Sequence, residues 1–328
     1  MSYEWPQGFV QIPAEDWVDL PLERLAMKYD TVEEHGWYDN LNPSVQQILE
    51  YHGAGDLLLD YSGGTGILTK RLYEAAGDRA PGVLIVDSSP KFLRLALEKF
   101  RDDPRVGYRL IRYLREERRL QRLDEVLGGG IQRVDAIAST NAIHLYYELP
   151  ATLQSWYDIL RPGGRVFVQS GNIRNPDAPE GCWIIDETVE HIHRIAMEIV
   201  ADTPAFQDYQ SALQDSEFMA AHDKLRAKYF LPVRHVDHYK EAFLAAGFSP
   251  TSCTTERIQA RVADWFDFLS VYHEGVLGWV GGAQKITGHR ASDTAVSARR
   301  ELMKLAMARM FDGRDSFDAV WTYFIYAR

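Results

Sequence analysis

A chain of 328 residues, 46% hydrophobic and 25% charged, holds enough apolar material for one large α/β domain with insertions or two modest domains. Its formal charge of −11 argues against a general electrostatic grip on nucleic acid or an anionic membrane, since both rely on Lys and Arg. Only two cysteines occur, Cys182 and Cys253, which excludes a disulfide framework; with no signal-like start and no run of about 18 apolar residues, a cytoplasmic protein without a membrane span is expected.

Residues 1–50 are rich in aromatics and acids and close on a helical pattern over Ser44–Tyr51, with Pro43 and Ser44 as its start. Leu57–Asp60 reads as a buried strand that breaks into a glycine turn, Tyr61-Ser62-Gly63-Gly64-Thr65-Gly66, before a helix over Ile67–Ala76. Strands at Val83–Asp87, Val106–Ile111, Val134–Ser139 and Arg165–Ser170 then alternate with helices at Pro90–Phe100, after the third strand to about Leu127, and at Leu149–Leu160. The rhythm breaks at residues 184–230, which read as helices only. It resumes with a helix over Asp237–Ala246 and a strand at Ser252–Ala260, breaks again in a helical stretch over 261–311, and ends on a strand at Ala319–Tyr326.

This alternation predicts an α/β fold with a doubly wound, mostly parallel seven-stranded sheet, Rossmann-like, and helical insertions that form a lid. The expected divisions are an N-terminal helical arm (1–50), the α/β core (51–173), a helical insertion (174–235), core continued (236–260), a second insertion (261–317) and a final core strand (318–328).

A glycine turn after a buried strand lets a ligand approach the backbone, because no Cβ intervenes and positive φ is allowed. Asp87 lies 21 residues after Gly66, at the carboxyl end of the second strand, where a carboxylate can accept hydrogen bonds from both hydroxyls of an adenosine ribose. A helix N-cap is its alternative role, although Ser88 or Ser89 would serve as well. A nicotinamide fingerprint, G-x-G-x-x-G, would need a third glycine where Thr69 stands.

In these features the chain resembles the class I S-adenosylmethionine-dependent methyltransferases. Their D-x-G-x-G-x-G motif reads here Asp60-Tyr61-Ser62-Gly63-Gly64-Thr65-Gly66, with Ser62 in place of the first glycine. The likeness extends to Asp87, to Asn141 beyond the fourth strand and to Arg161-Pro162-Gly163-Gly164 before the fifth, and spans roughly residues 55–173. It implies S-adenosylmethionine as cofactor, with Asp60, Tyr61, Ser62, Gly63, Gly64, Gly66, Asp87, Ser88 and Asn141 at its site and Tyr29 from the N-terminal arm. Arg112 and Tyr113 stand where the family often contacts adenine, and that contact stays unassigned.

Methyl transfer is an in-line displacement that needs alignment and dryness, and a base only where the acceptor must lose a proton. His144 and Tyr146, just past the fourth strand, are the candidate catalytic residues. Aromatics outside the sheet, among them Trp265, Phe266, Phe268, Tyr272 and Trp279, suit an apolar acceptor pocket. The expected partner is therefore a small organic methyl acceptor, probed against two alternatives: an RNA or protein substrate, or a cofactor-binding regulatory protein without turnover. His191, His193, His222, His235 and His238 lack a tight ligand pattern, so no metal site is expected. Arg109, Arg112, Arg115, Arg118 and Arg122 are expected to form a strand end and the solvated face of a helix, not a nucleic-acid stripe. The oligomeric state is open, a homodimer among the options.

Overall fold

The structure, a computed structural model, describes residues 3–128 and 130–328. The arm supplies α1 (Arg24–Asp30) and α2 (Leu41–Tyr51). The alternation that follows is β1 (Leu57–Tyr61), α3 (Ile67–Ala76), β2 (Gly82–Asp87), α4 (Pro90–Phe100), β3 (Val106–Leu110), α5 (Leu123–Leu127), β4 (Val134–Thr140), α6 (Leu149–Ile159) and β5 (Leu160–Ser170). Beyond it come α7 (Glu187–Asp202), α8 (Gln210–Gln214), α9 (Ser216–Tyr229), α10 (Val236–Ala245), β6 (Ser249–Arg261), α11 (Val262–Val271), α12 (His273–Leu277), α13 (Gln284–Thr287), α14 (Asp293–Met310) and β7 (Ser316–Ala327).

The seven strands form one sheet, as the alternation predicts, and their order is β3-β2-β1-β4-β5-β7-β6. Strands β1 to β5 run parallel to one another, and β7 runs antiparallel to both β5 and β6. Every residue of β1, β2 and β3 is buried, the signature of strands covered on both faces. One face packs Leu59, Val86 and Ile137 against Leu153, Trp156 and Phe243 of α6 and α10. The other packs Leu58, Ile85 and Ala136 against Ile48, Leu68, Leu72 and Leu97 of α2, α3 and α4. Chain direction across the sheet reverses between β1 and β4, so their carboxyl ends open the crevice in which ligands of such sheets bind.

Strands β6 and β7 outrun the sheet. Their pairing continues to Arg261 and Ser316, whereas β5 covers β7 only from Thr322 to Ala327. The projecting ribbon carries a third core, in which Ala260, Phe317 and Trp321 meet Ile192, Trp265, Trp279 and Met303 from α7 and α11 to α14. Trp37, Tyr38 and Leu41 of the arm join the same cluster. Among the described residues no helix is long and apolar enough to cross a membrane.

Two segments depart from the expected elements. The helix expected between β3 and about Leu127 is instead a short antiparallel hairpin, Tyr113–Leu114 against Arg119–Leu120, followed by the five-residue α5. Leu120, Leu123 and Leu127 mimic a helical stripe, but Arg118 at φ 55° turns the chain just before them, between the two strands of the hairpin. The Arg161-Pro162-Gly163-Gly164 run is a bulge inside β5, not a loop before it: Leu160 pairs with Val134, and Arg165 with Ala136. It clasps the C-terminus, since Gly163 N–H donates to Arg328 O and Arg328 N–H to Gly164 O, both at 3.1 Å.

Candidate cofactor and acceptor site

Strand β1 ends at Tyr61, and the chain turns through Ser62–Gly66 into α3. Ser62 and Gly63 both donate their N–H to Val86 O, at 2.7 and 3.2 Å, which lashes the turn to β2. Gly64 N–H donates to Asp87 Oδ2 at 2.8 Å, and Ser89 N–H donates to Asp87 Oδ1 at 2.7 Å. Burial pushes the Asp87 carboxyl up, while these backbone donors pull it down. Ser89 is the N-cap of α4, accepting from Phe92 N–H at 3.4 Å, so Asp87 is released from capping. Ser88, between them, is exposed.

The glycines of the turn differ in what they permit. Gly64, at φ 57°, has nothing within 4 Å of where a Cβ would stand, so its backbone is bare toward the crevice. Gly66, at φ 80°, would place a Cβ 2.7 Å from the Phe100 ring, and its absence lets α3 and α4 close together. Ser62 holds φ 60° despite its Cβ. Beneath the turn, fully buried Asp60 accepts from Thr69 Oγ1 at 3.3 Å and keeps Oδ1 without a partner. Burial, with the Asp87 charge adding to it, pushes the Asp60 pKa up to about 7. Tyr61, one residue on, faces the opposite side of the sheet. Its ring lies 5.2 Å from Trp156 and lines a cavity of about 660 Å³ together with Tyr113, Leu145, Tyr146 and Tyr147.

Over the turn stands the arm. Tyr29 stacks on Phe92 at 4.9 Å and brings its hydroxyl 3.3 Å from that of Tyr38. Burial raises the Tyr29 pKa, the hydrogen bond with Tyr38 lowers it, and the Asp87 charge adds to the rise. Tyr146 donates to Ser62 Oγ at 2.9 Å and lies 2.8 Å from Ser139 Oγ. Burial holds this phenol well above its ordinary pKa, so it stays protonated and braces the turn.

His144 Nδ1 lies 2.9 Å from Ser170 Oγ, which also accepts Asn172 N–H at 3.0 Å. Burial pushes its pKa down to about 4, so the imidazole is neutral at pH 7. Asn141, at φ 54°, has its side chain engaged inside the protein: Nδ2 donates to Asn40 Oδ1 at 3.1 Å, and Oδ1 accepts from Trp321 Nε1 at 2.8 Å. Gln169 Nε2 donates to the same Asn40 oxygen at 2.8 Å, and Tyr323 donates to Asn40 O at 2.7 Å. Asn141 therefore knots the arm to β7. Asn40, Gln169 and the Trp321/Tyr323 pair escape sequence reasoning because they come from three segments far apart in the chain.

The aromatics outside the sheet divide. Trp265, Trp279 and Phe206 belong to the third core, against the expectation of a pocket wall, because the β6–β7 ribbon needs a large apolar cover. Phe266, Phe268 and Tyr272 do line a cavity, of about 420 Å³, shared with Tyr29. Of the arginines, Arg109 lies in β3, at the strand end expected of it, but those that follow are not the solvated face of a helix. Arg109 is buried over the Phe9 ring, Arg112 pairs with Glu15, Arg119 with Glu125, and Arg122 with Asp158. His193, His222 and Asp223 each bring one possible ligand atom within 4.8 Å of the others. Arg226 pairs with Asp223 at 3.2 Å and, after burial, is the next cause lowering both imidazoles, so a cation already occupies that charge.

Comparison with known proteins gives a consistent picture. Residues 59–166 match the methyltransferase domain family. A ubiquinone/menaquinone biosynthesis C-methyltransferase of Yersinia pestis is 31% identical over 114 residues, 35% of this chain and 42% of that protein, so the chain spans about two fifths of its relative's length. Among solved structures, the YcgJ protein of Bacillus subtilis is 11% identical with a TM-score of 0.49, covering 89% of this chain and 98% of its own. Phosphoethanolamine N-methyltransferase 2 of Haemonchus contortus, in complex with phosphomonomethylethanolamine and S-adenosylhomocysteine, is 16% identical with a TM-score of 0.44, covering 88% and 52%. With its strand order, its first-turn motif and the match over 59–166, the chain carries a methyltransferase domain of the class I S-adenosylmethionine-dependent family.

Proposed function

We propose that this chain transfers the methyl group of S-adenosylmethionine to a small, apolar or aromatic organic acceptor by in-line displacement. The circuit of Ser62, Gly64 and Asp87 at the strand-order reversal carries the reading: a bare backbone turn and a buried carboxylate share one crevice. The residues suit the cofactor. Asp87 gives one lone pair per oxygen to backbone and keeps others for a ribose diol, Gly64 leaves room for close approach, and the unpartnered Asp60 Oδ1 and exposed Ser88 add polar groups.

When bound, S-adenosylmethionine supplies a sulfonium methyl carbon that is already electrophilic. The chain's task is then to align the acceptor and exclude water. Tyr146 fixes Ser62, and through it the turn; Tyr29, with Phe266, Phe268 and Tyr272, offers an aromatic wall to the acceptor. The arm and the two helical insertions act as the lid. His144 is the group placed to hold an acceptor's proton: with Nδ1 directed at Ser170, its Nε2 can receive one as the methyl bond forms. No acidic shift of its own favours this, since burial makes His144 a weak base, and an acceptor already free of a proton would need none.

Equilibrium titration with S-adenosylmethionine and transfer of a labelled methyl group into a metabolite extract test the reading. Micromolar binding and one labelled small product are expected; folded protein with no measurable affinity, or unchanged affinity in Asp87→Ala, would overturn it.

A further inference from the structure

The cavity of about 420 Å³ between the arm and helices α11 and α14 has a chemistry that the proposed acceptor class leaves unexplained. Its walls are aromatic, but Lys28, Arg300 and Lys304 stand around it, with Asp267 the acid in its lining. Among the described residues, the ion pairs on either side of this rim go elsewhere: Lys99 reaches Asp30 and Arg309 reaches Glu198, while Lys304 sits over the Phe266 ring at 5.0 Å. In a chain of formal charge −11, three cations facing one hollow are a local inversion of sign.

Two further observations point inward. His35 Nδ1 and Ser270 Oγ both belong to lining residues, are buried, and have no hydrogen-bond partner. A buried polar atom left unpaired is costly, so two residues of this wall keep unused hydrogen-bonding capacity just behind its surface. The positive field is also felt next door: His273, beside Tyr272, is held below its ordinary pKa first by burial and then by the charges of Arg299, Arg300 and Lys28.

The geometry points to an acceptor that carries an anionic group, a carboxylate, sulfonate or phosphate, on an aromatic or apolar body, with the anion held by Lys28, Arg300 and Lys304 and the body laid on Tyr29, Phe268 and Tyr272. The volume suits a ligand of metabolite size. Tyr29 is the shared wall, since it faces this cavity on one side and stacks on Phe92 beside the Asp87 crevice on the other. The inference rests on the methyltransferase reading for the word acceptor; the anion site itself stands on the cavity alone.

The test uses the full chain and two fluorescent probes of like shape, 8-anilinonaphthalene-1-sulfonate and uncharged N-phenyl-1-naphthylamine. The sulfonate is expected to bind with one-to-one stoichiometry and at least about tenfold more tightly than the neutral amine, since each desolvated charge pair adds selectivity. In Arg300→Gln/Lys304→Gln, both exposed positions, sulfonate affinity should fall roughly tenfold while amine affinity holds. Lys28→Gln should repeat the effect from the opposite wall. Equal binding of the two probes, or sulfonate affinity indifferent to these variants, overturns the inference. So does a loss confined to Arg118→Gln/Arg122→Gln, which border the other, tyrosine-lined cavity. S-adenosylmethionine titrated into the same samples separates the two claims: its failure to bind sinks the methyltransferase reading and leaves the anion result to be judged alone.

Discussion

The sheet and the helical roof above its carboxyl edge are held together by different physics. In β1 to β4 the strands are buried and parallel, and the first turn is fixed by backbone donors meeting Val86 O and the Asp87 carboxylate. The roof rests on a two-stranded ribbon, β6 with β7, and the arm is tied to the sheet and the foot of that ribbon by side chains: Asn40, Asn141, Gln169, Trp321 and Tyr323. A backbone-built site tolerates a wide range of neighbouring side chains, whereas a side-chain-built roof is specific to its sequence. The division suits a protein whose cofactor is common to a family and whose acceptor is its own.

The largest test of that contrast is a matched pair of truncations. Trp156→Ala in the sheet core and Trp265→Ala in the roof core should each cost about 3–5 kcal/mol. Trp156 touches Tyr61 and Phe243, so its loss should lower the whole calorimetric transition. Trp265 stacks on Phe268 at 5.1 Å, donates to Thr188 Oγ1 at 2.8 Å and meets Trp37 of the arm edge-on at 6.0 Å, contacts confined to roof and arm, so its loss should split off an earlier step. A single sharp transition in Trp265→Ala would mean that the ribbon makes sheet and roof one cooperative unit.

Acid should separate the regions next. Burial pushes His193 down to about 3 and His222 to about 4, below the 6.5 of an unfolded histidine. The unfolded roof therefore takes up protons first, and stability present above pH 6.5 is lost as pH falls toward 4, by an amount on the order of 3 kcal/mol. Asp60 acts in the opposite sense. Its folded pKa of about 7 lies above the unfolded 3.8, so the stability it adds is complete below about pH 4 and is lost as pH rises through 7. Hydrogen exchange, corrected for intrinsic rate, should show α7 and α9 losing protection from pH 6.5 to 4 while β1 and its turn gain it. Parallel changes in both regions would break the comparison.

Much of the sheet half was legible because its signals are local. Ile67–Ala76 and Pro90–Phe100 form helices over the expected residues, each opened by a glycine or proline start and carried by a 3.6-residue apolar stripe. Asp87 and the turn could be linked because strand periodicity places both at carboxyl ends. Arg112–Leu127 misled for the same reason in reverse: apolar spacing looked helical, and nothing in Arg118 announces a positive φ. The roof was legible as helices but not as a core, and the Asn40 knot not at all, since Asn40 and Trp321 lie 101 and 180 positions from the Asn141 side chain that joins them.

That knot predicts a division of effects. Asp87→Ala should weaken S-adenosylmethionine binding about 100-fold, as one charged acceptor serving the turn, Ser89 and the ribose is lost. Asn141→Ala should leave affinity within a few-fold and instead destabilise by roughly 1–3 kcal/mol, because Trp321 Nε1 and the Asn40 amide lose a buried partner. Calorimetric titration beside thermal melts separates the two. A 100-fold affinity loss in Asn141→Ala would return that residue to the cofactor contacts implied by the family resemblance.

The smallest expected effect concerns Ser62, which holds φ 60° where the family motif has glycine. Ser62→Gly relieves left-handed backbone strain of about 1 kcal/mol, but it adds freedom to the unfolded chain and removes the hydroxyl that accepts from Tyr146 at 2.9 Å. These contributions are of similar size, so net stability should move by less than about 1 kcal/mol. Tyr146→Phe should cost about 1 kcal/mol by itself, since Ser62 and Ser139 lose their shared partner. In the Ser62→Gly/Tyr146→Phe double variant the two changes should not add, with a coupling of about 0.5–1.5 kcal/mol, because both remove one hydrogen bond. Strict additivity would mean that Tyr146 does not brace the turn, and that the serine hydroxyl is free to meet the cofactor directly.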